Sequence, residues 1–247
     1  MQNTILIQVL FIITLSGCYS YRDLQKALDH PESIRTLNLS GAGITTLPPE
    51  IKNLKNLEKL NLFKNELEAL PPEIGELSNL KELIVSSNKL TQIPEEIKKL
   101  KNLKILSLKF NKLDSLPEAI CSLENLEFLD LQYNQLSSIP CSIGNLKRLN
   151  FLYLNNNRIR TLCPAIGDLT NLRFLYIGKN EISKLPVEIG KLENLVELDI
   201  AQSGVLLHVP ELISNLNKLE FLYIDRNTIL PYSINNVNPR LRIIIKD

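Results

Sequence analysis

The sequence has few of the residues from which active sites and metal centres are most often built. Its 247 residues contain no Trp, one Met, two His and four Cys. His30 and His208 are far apart in the chain, and the cysteines match no zinc-ligand spacing. No nucleophile with a neighbouring base and no Gly-rich phosphate loop is present. The sequence therefore predicts a protein that is not an enzyme and that uses no cofactor, metal or small-molecule substrate.

An excess of charge of either sign is also missing. The 28 basic and 27 acidic side chains give a formal net charge of +1. Domains that bind nucleic acid or an anionic membrane surface normally carry a basic surplus or patch. We therefore expect no nucleic-acid partner and no direct electrostatic binding to a membrane.

An apolar run lies at the start of the chain and ends at a cysteine. This run, ILIQVLFIITLSGC, covers residues 5–18. It is shorter than the roughly 20 apolar residues that cross a bilayer, and it is typical of a signal-peptide core. Its ending resembles a bacterial lipobox, which implies that residues 1–17 are a lipoprotein-type signal peptide and that Cys18 is lipidated. The protein would then contact a membrane through this lipid anchor only, in the bacterial cell envelope, at the outer membrane or cell surface.

The first four residues, MQNT, carry no Lys or Arg, although signal peptides normally begin with positive charge. Two alternatives therefore stay open. The first is a protein secreted in the conventional way, without a lipid. The second is a mis-assigned start or an intracellular protein.

The rest of the chain repeats with a period of 23 residues. The frame is L-x-x-L-x-L-x-x-N-x-L-x-x-L-P-x-x-I-x-x-L-x-N-L, and it recurs nine times over residues 34–227. This is the leucine-rich-repeat pattern. The alternating leucines predict one short strand per copy, and the Leu-Pro-x-x-Ile half predicts a short helical or 3₁₀ turn. The predicted fold class is an α/β solenoid, a horseshoe with a parallel concave sheet and short convex turns.

A solenoid exposes its core at both ends unless the ends are capped. Residues 18–33 predict an N-terminal helical cap, in which Leu24, Ala27 and Leu28 form one apolar face. Residues 228–247 predict a C-terminal cap, in which RLRIIIKD is the final strand. The asparagine of each repeat is expected to bond free backbone groups where the chain leaves the strand, so that the copies form a ladder.

The repeat text LPxEIGxLxNL, together with YRDLQKAL after the lipobox-like Cys18, resembles the bacterial leucine-rich-repeat lipoproteins of spirochaete type. The repeat is also similar to that of intracellular scaffold and plant proteins with 23-residue units. The resemblance covers residues 18–247 and implies a horseshoe that binds a protein ligand, which in that family includes host or extracellular-matrix proteins. Ser203 in place of the repeated Asn and Cys163 in place of the repeated Pro depart from the pattern.

Aromatic side chains are concentrated at strand positions that do not face the core. We number the frame L-x-x-L-x-L-x-x-N from 1 to 9 and expect positions 2, 3, 5, 7 and 8 to line the concave face. Six of the seven Phe and four of the seven Tyr lie there. Adjacent strands are about 4.8 Å apart, so rings on neighbouring repeats should form ladders. The predicted partner-binding residues are Phe128, Phe151, Tyr153, Phe174, Tyr176, Tyr133, Phe221 and Tyr223.

The alternative role of these rings is structural, because cross-strand aromatic pairs stabilise a sheet by roughly 0.2–1 kcal/mol each. The two roles are compatible. Cys141 and Cys163 should lie one coil apart with their Cα atoms about 6 Å from each other, within disulfide range. A bridge between them is one hypothesis and buried thiols are the other, and Cys121 is expected to be unpaired.

These observations favour a non-enzymatic, lipid-anchored protein that binds a protein ligand on its concave face. The alternative is a secreted effector or inhibitor that binds a host protein. An enzyme would need a further domain, but the repeats and caps occupy the chain.

Overall fold

The computed structural model describes residues 18–204 and 206–246, which form one solenoid. Helix α1 (Cys18–Asp29) leads into ten parallel strands that lie in a single sheet in chain order. The strands are β1 (Thr36–Asn38), β2 (Lys59–Asn61), β3 (Glu82–Ile84), β4 (Ile105–Ser107), β5 (Phe128–Asp130), β6 (Phe151–Tyr153), β7 (Phe174–Tyr176), β8 (Glu197–Asp199), β9 (Phe221–Ile224) and β10 (Arg242–Ile245). The predicted fold class is confirmed. The predicted signal peptide, residues 1–17, lies outside the described residues.

The strands stack in register because each repeat places its leucines at the same positions. In β6 the central Leu152 is fully buried and pairs with Leu129 of β5 and Leu175 of β7. The residues on either side of it, Phe151 and Tyr153, face away from the core and are half-buried. Each strand thus offers one buried face and one open face, and the open faces together form the concave surface.

A 3₁₀ turn follows each of the strands β1 to β9 on the convex side, and one further turn precedes β1. One example is Pro72–Glu76, in which Ile74 is completely buried and Pro71 precedes the turn in extended conformation. Proline suits this place because the first N–H groups of a helical turn have no partner within the turn. The turns are Pro31–Ser33, Pro49–Asn53, Pro72–Glu76, Glu95–Lys99, Glu118–Ser122, Cys141–Asn145, Pro164–Asp168, Val187–Lys191, Glu211–Asn215 and Tyr232–Asn236.

The repeated asparagines form a continuous hydrogen-bonded chain inside the solenoid, which we call the asparagine chain. Asn157 Nδ2 donates to the carbonyls of Leu154 and Leu131, at 2.9 and 3.0 Å, and its Oδ1 accepts from the Leu136 N–H at 3.0 Å. Leu154 O in turn accepts from Asn180 Nδ2 at 3.0 Å. Each such carbonyl therefore serves two successive repeats. The members are Asn65, Asn88, Asn111, Asn134, Asn157 and Asn180.

The asparagine chain ends at repeat 8, where serine replaces asparagine. Ser203 is fully buried, and its Oγ donates one bond, to Ile177 O at 3.0 Å. This repeat is one residue longer than the others, and its His208 forms isolated bridges, outside the ten strands, with Lys184 of the preceding repeat and Ile229 of the next. One hydroxyl thus replaces an amide that makes three bonds in repeat 6 and four in repeat 7.

A second row of asparagines ties the convex side together. Asn171 Nδ2, for example, donates to Lys147 O at 2.7 Å, one coil earlier. The row comprises Asn56, Asn79, Asn102, Asn125, Asn171 and Asn194. It is interrupted at Arg148 and Lys218, each of which donates to the preceding asparagine Oδ1 at 2.6 Å. The Asn-Leu at the end of each repeat is therefore part of the scaffold.

The two ends of the solenoid are covered differently. Leu24 and Ala27 of α1 are buried against the first repeat. At the other end β10 pairs with β9, and its core-facing Ile243 and Ile245 remain 42% and 56% exposed. Within residues 18–204 and 206–246, no helix combines the length and the apolarity needed to cross a bilayer.

Candidate protein-binding site on the concave face

The concave face has a charged half and an aromatic half. On β1 to β4 the charged side chains neutralise one another across strands, as in the Lys59–Glu82 pair at 3.0 Å. Glu58 accepts from Lys81 at 2.7 Å and from Arg35 at 2.9 Å, and these bonds hold the pKa of its carboxyl below its usual range. Little net charge is left there for a ligand, whereas the next strands carry rings.

The rings of β5 to β7 pack on one another, and we call the five of them the aromatic ladder. Phe151 and Phe174 stack with centroids 4.8 Å apart, and Tyr153 and Tyr176 also stack at 4.8 Å. Phe128 meets Tyr153 edge-on at 5.4 Å. All five are half-buried. The ladder therefore stabilises the sheet and still presents part of its apolar surface.

Phe110 and Tyr133, which we call the outer pair, are more exposed, at 46% and 41%. Their rings stack with centroids 4.2 Å apart, and the Lys109 ammonium lies 5.2 and 5.6 Å from the two centroids. Both residues have a positive φ, 54° and 55°. Position 8 takes this left-handed conformation throughout the array, at Lys64, Ser87, Phe110, Tyr133, Asn156, Lys179 and Gln202.

Phe221 and Tyr223 of β9 are separate from the ladder. Their ring centroids lie 6.4 Å apart. Glu197 and Asp199 of β8 stand between them and the rings of β7 in the sheet register. The eight sequence-predicted residues therefore form three groups on one face, namely the ladder, Tyr133 in the outer pair, and this last pair.

Position 5 does not line the concave face in every repeat, contrary to the sequence-based expectation. Ser107, Asp130 and Asp199 occupy it and are only 9%, 7% and 6% exposed. The Ser107 hydroxyl is bonded to that of Ser86, and Asp130 Oδ1 accepts from the Gln132 N–H at 3.1 Å. These side chains are short, so they turn back to nearby polar groups between larger neighbours. Burial raises the pKa of the Asp130 carboxyl.

A hollow lies beside the ladder because repeat 7 has glycine at position 7. A Cβ on Gly178 would stand 2.6 Å from Ala201 O and 3.0 Å from Asp199 Oδ1. Without one, Asn155 reaches across a whole repeat, and its Nδ2 donates to Asp199 Oδ2 at 3.2 Å. Lys246 Nζ closes the far end, 2.8 Å from the same oxygen and 3.9 Å from the Tyr223 ring centroid.

The hollow is part of a groove of about 540 Å³ that follows the carboxyl ends of the strands. It is lined by Lys109, Gln132, Tyr133, Asn155, Asn156, Tyr176, Lys179, Asp199, Ala201, Gln202 and Lys246. Burial, followed by the hydrogen bond from its hydroxyl to Glu197, raises the pKa of Tyr176 far above its usual value. Such a groove can offer amides, ammonium groups and ring faces to a ligand.

Cys121, Cys141 and Cys163 lie at turns on the convex side. The structure joins Cys141 and Cys163 in a disulfide, with Cα atoms 5.4 Å apart, between consecutive turns. Cys121 is buried and free, and burial raises the pKa of its thiol. Helix α1 begins at Cys18. Among the described residues, no group of three or more His, Cys, Asp and Glu side chains could hold a metal ion.

Sequence reasoning did not single out Lys109, Asn155, Gly178 or Asp199 as parts of a site. Phe110 had been placed on the concave face but not among the partner-binding residues. A signal for the hollow was available, because Gly178 and Ala201 are small residues at position 7 of successive repeats. Asn155 belongs to repeat 6 and Asp199 to repeat 8. The register of adjacent strands predicts contacts between neighbouring repeats only, so it does not reveal this contact.

Comparison with known proteins gives three findings. A family model described as a leucine-rich repeat region matches residues 1–112, 95–165 and 159–239. A search of curated proteins finds no match. Among solved structures, a leucine-rich-repeat protein of Leptospira interrogans is 32% identical over 92% of this chain and 76% of that chain, with a TM-score of 0.57.

Two further structures extend the likeness. The leucine-rich-repeat domain of the type III effector XopL has a TM-score of 0.79 at 24% identity, over 96% of this chain and 84% of that one. The plant peptide hormone receptor RGFR1, solved in complex with RGF2, has a TM-score of 0.62 at 29% identity. That match covers 81% of this chain and 37% of the receptor chain.

Proposed function

Because the chain belongs to the leucine-rich-repeat proteins, we propose that it is a non-enzymatic protein that binds a protein ligand on its concave face. The outer pair carries this proposal. Phe110 and Tyr133 are exposed in a left-handed conformation, which costs a residue with a side chain roughly 1–2 kcal/mol. Asparagine, which Asn156 provides at the same position of repeat 6, adopts this conformation more easily. Folding alone therefore does not favour large rings at these two positions.

The neighbouring surface supports the same proposal. Aromatic residues are enriched at protein–protein interfaces and among their energetically dominant residues. The outer pair, the ladder and the groove follow one another along the same face of the sheet. The related plant receptor RGFR1 was solved with the peptide RGF2, which shows that a fold of this kind can bind a polypeptide.

The binding experiment compares the wild type with the double variant Phe110→Asn, Tyr133→Asn. Asparagine suits the left-handed backbone, so the melting temperature should stay the same or rise slightly. Capture of protein ligands from host serum or extracellular-matrix extract should be lost. Tyr232→Asn is the matched control, because Tyr232 is 89% exposed but lies on a convex turn. Undiminished capture by the double variant would show that the outer pair is not an interface.

We propose further that the protein is exported and held by a lipid on Cys18, at the bacterial envelope and facing outward, as in spirochaete-type lipoproteins with 23-residue repeats. Two observations support this. The lipobox-like residues immediately precede the cysteine at which α1 begins. A disulfide such as Cys141–Cys163 is typical of proteins in oxidising compartments.

The anchor is tested by metabolic labelling with a fatty acid in a bacterial host. Wild-type protein should be labelled and Cys18→Ser should not. Unlabelled wild-type protein in the culture medium would favour the alternative, a secreted effector or inhibitor that binds a host protein. This experiment is independent of the binding test, so either half of the proposal can fail alone.

A further inference from the structure

The positive charge available to a ligand is concentrated beside the rings. Lys59 of β2 lies 3.0 Å from the carboxylate of Glu82 on β3. Lys104, just before β4, lies 2.9 Å from that of Glu127, just before β5. Lys109 and Lys179 line the groove, and neither has a carboxylate within ion-pair distance among the described contacts. The Lys109 ammonium rests over the outer pair instead. The groove thus presents two ammonium groups outside any described ion pair, one near each end of the aromatic ladder. The carboxylate whose charge interacts with Lys109, that of Asp130, is itself buried.

The groove also holds a hydrogen-bond acceptor without a donor. Asn155 Oδ1 is buried and has no partner in the described part of the chain. The amide nitrogen fixes the orientation of the Asn155 side chain, because Nδ2 is the only donor of the amide and therefore faces the Asp199 carboxylate. A buried carbonyl oxygen without a donor is energetically unfavourable. A backbone N–H of a bound polypeptide would satisfy it once the side chains that cover this oxygen move aside on binding.

We propose that the groove binds an extended acidic segment of the protein ligand, with carboxylates on Lys109 and Lys179 and a backbone N–H on Asn155 Oδ1. This inference rests on the proposed function, because it specifies the ligand of the same face. Lys109 belongs to repeat 4 and Lys179 to repeat 7, three strand spacings or about 14 Å apart. An extended chain advances about 3.3 Å per residue, so the two acidic residues should be about four positions apart.

A single-stranded nucleic acid is the other anion that could combine lysines with rings. One observation favours a polypeptide. Asn155 Oδ1 is a buried acceptor that needs a donor, which a phosphate group does not provide.

The test uses the full chain and fluorescein-labelled nonapeptides, with binding followed by fluorescence anisotropy. The first peptide carries two Glu four positions apart with a Tyr between them. Gln replaces both Glu in the second peptide and Lys replaces them in the third, and an oligo-dT of nine nucleotides is the fourth probe. The acidic peptide should bind on the order of tenfold more tightly than the Gln peptide, and added salt should reduce the difference.

Charge reversal then locates the site. Lys109→Glu with Lys179→Glu should abolish binding of the acidic peptide and give measurable binding of the Lys peptide. The control is Lys98→Glu with Lys191→Glu, which makes the same change of net charge on convex turns and should leave acidic-peptide binding unchanged. Melting temperatures of both variants show whether each is folded.

Three results would overturn the inference. These are equal binding of the Glu and Gln peptides, unchanged acidic-peptide binding after reversal of Lys109 and Lys179, and binding of oligo-dT in preference to every peptide. Failure of all four probes to bind would also reject it. The proposal that the outer pair binds a protein would not be affected by these results, because the capture experiment with Phe110→Asn, Tyr133→Asn tests it separately.

Discussion

Replacing one residue of the asparagine chain should cost far more stability than its single amide suggests. In Asn157→Ala the Leu136 N–H loses the acceptor that bonds it at 3.0 Å inside the solenoid. Leaving this buried donor unpaired costs about 1–3 kcal/mol. The carbonyls of Leu131 and Leu154 each lose one of two donors but keep Asn134 and Asn180. At about 0.5–1 kcal/mol for each of these two lost bonds, the total is about 3 kcal/mol.

The assay is urea unfolding followed by far-ultraviolet circular dichroism, with three variants in parallel. Asn171→Ala removes one exposed bond on the convex side, to Lys147 O, and should cost less than about 1 kcal/mol. Asn157→Ser copies Ser203, whose hydroxyl keeps one donor, and should fall between the two. If Asn157→Ala proves no more destabilising than Asn171→Ala, shared carbonyls do not hold the repeats together as described.

Four other predictions concern the bridge, the hollow and the buried acids. Removing the disulfide with Cys141→Ser and Cys163→Ser should lower the free energy of unfolding in urea by about 3 kcal/mol, since the bridge joins residues 22 positions apart. Thiol counting on unreduced, denatured Cys18→Ser protein should find one free thiol. Three free thiols would exclude the bridge. Gly178→Ala should cost about 1–3 kcal/mol by the same assay, because its Cβ would overlap Ala201 O. Asp130→Asn keeps the bond from the Gln132 N–H and removes a buried charge, so it should raise the melting temperature at pH 7, and the gain should vanish once the carboxyl is protonated in acid. Burial raises the pKa of three tyrosines, namely Tyr153, Tyr176 and Tyr223. The stability they contribute is complete below the unfolded value of about 10 and should fall as the pH rises above it. Ultraviolet titration should show these rings ionising at higher pH in the folded protein than in the urea-unfolded chain.

The fold could be predicted because every level of the repeat agrees with the others. The leucine spacing, the proline before each turn and the repeated asparagine each favour the same coil, and stacking then leaves little choice of register. The ring ladders followed directly, because position 3 or position 5 of one strand lies beside the same position of the next.

The chemistry of the groove could not be predicted in the same way. It depends on a position where glycine provides no side chain and on side chains that bend back onto the backbone instead of extending from the face. Gly178 opens a space that only becomes a site because Asn155 crosses it to reach Asp199. Asp130 and Asp199 were expected on the open face, but a short acidic side chain can fold back onto the backbone amide two residues later. Periodicity assigns a residue to a face, and it does not say how far the side chain extends from that face.

The asparagine chain also divides the solenoid dynamically. From Asn65 to Asn180 each repeat is fastened to its neighbour by amides, whereas at Ser203 a single hydroxyl makes the bond to the preceding repeat. Amide hydrogens of β9 and β10 should therefore exchange with deuterium faster than those of β5 and β6. The groove runs from Lys109 to Lys246 and crosses this boundary. A ligand bound along the groove would contact both the faster-exchanging and the slower-exchanging parts of the sheet. Binding should therefore slow amide exchange in β9 and β10, even in residues that the ligand does not contact.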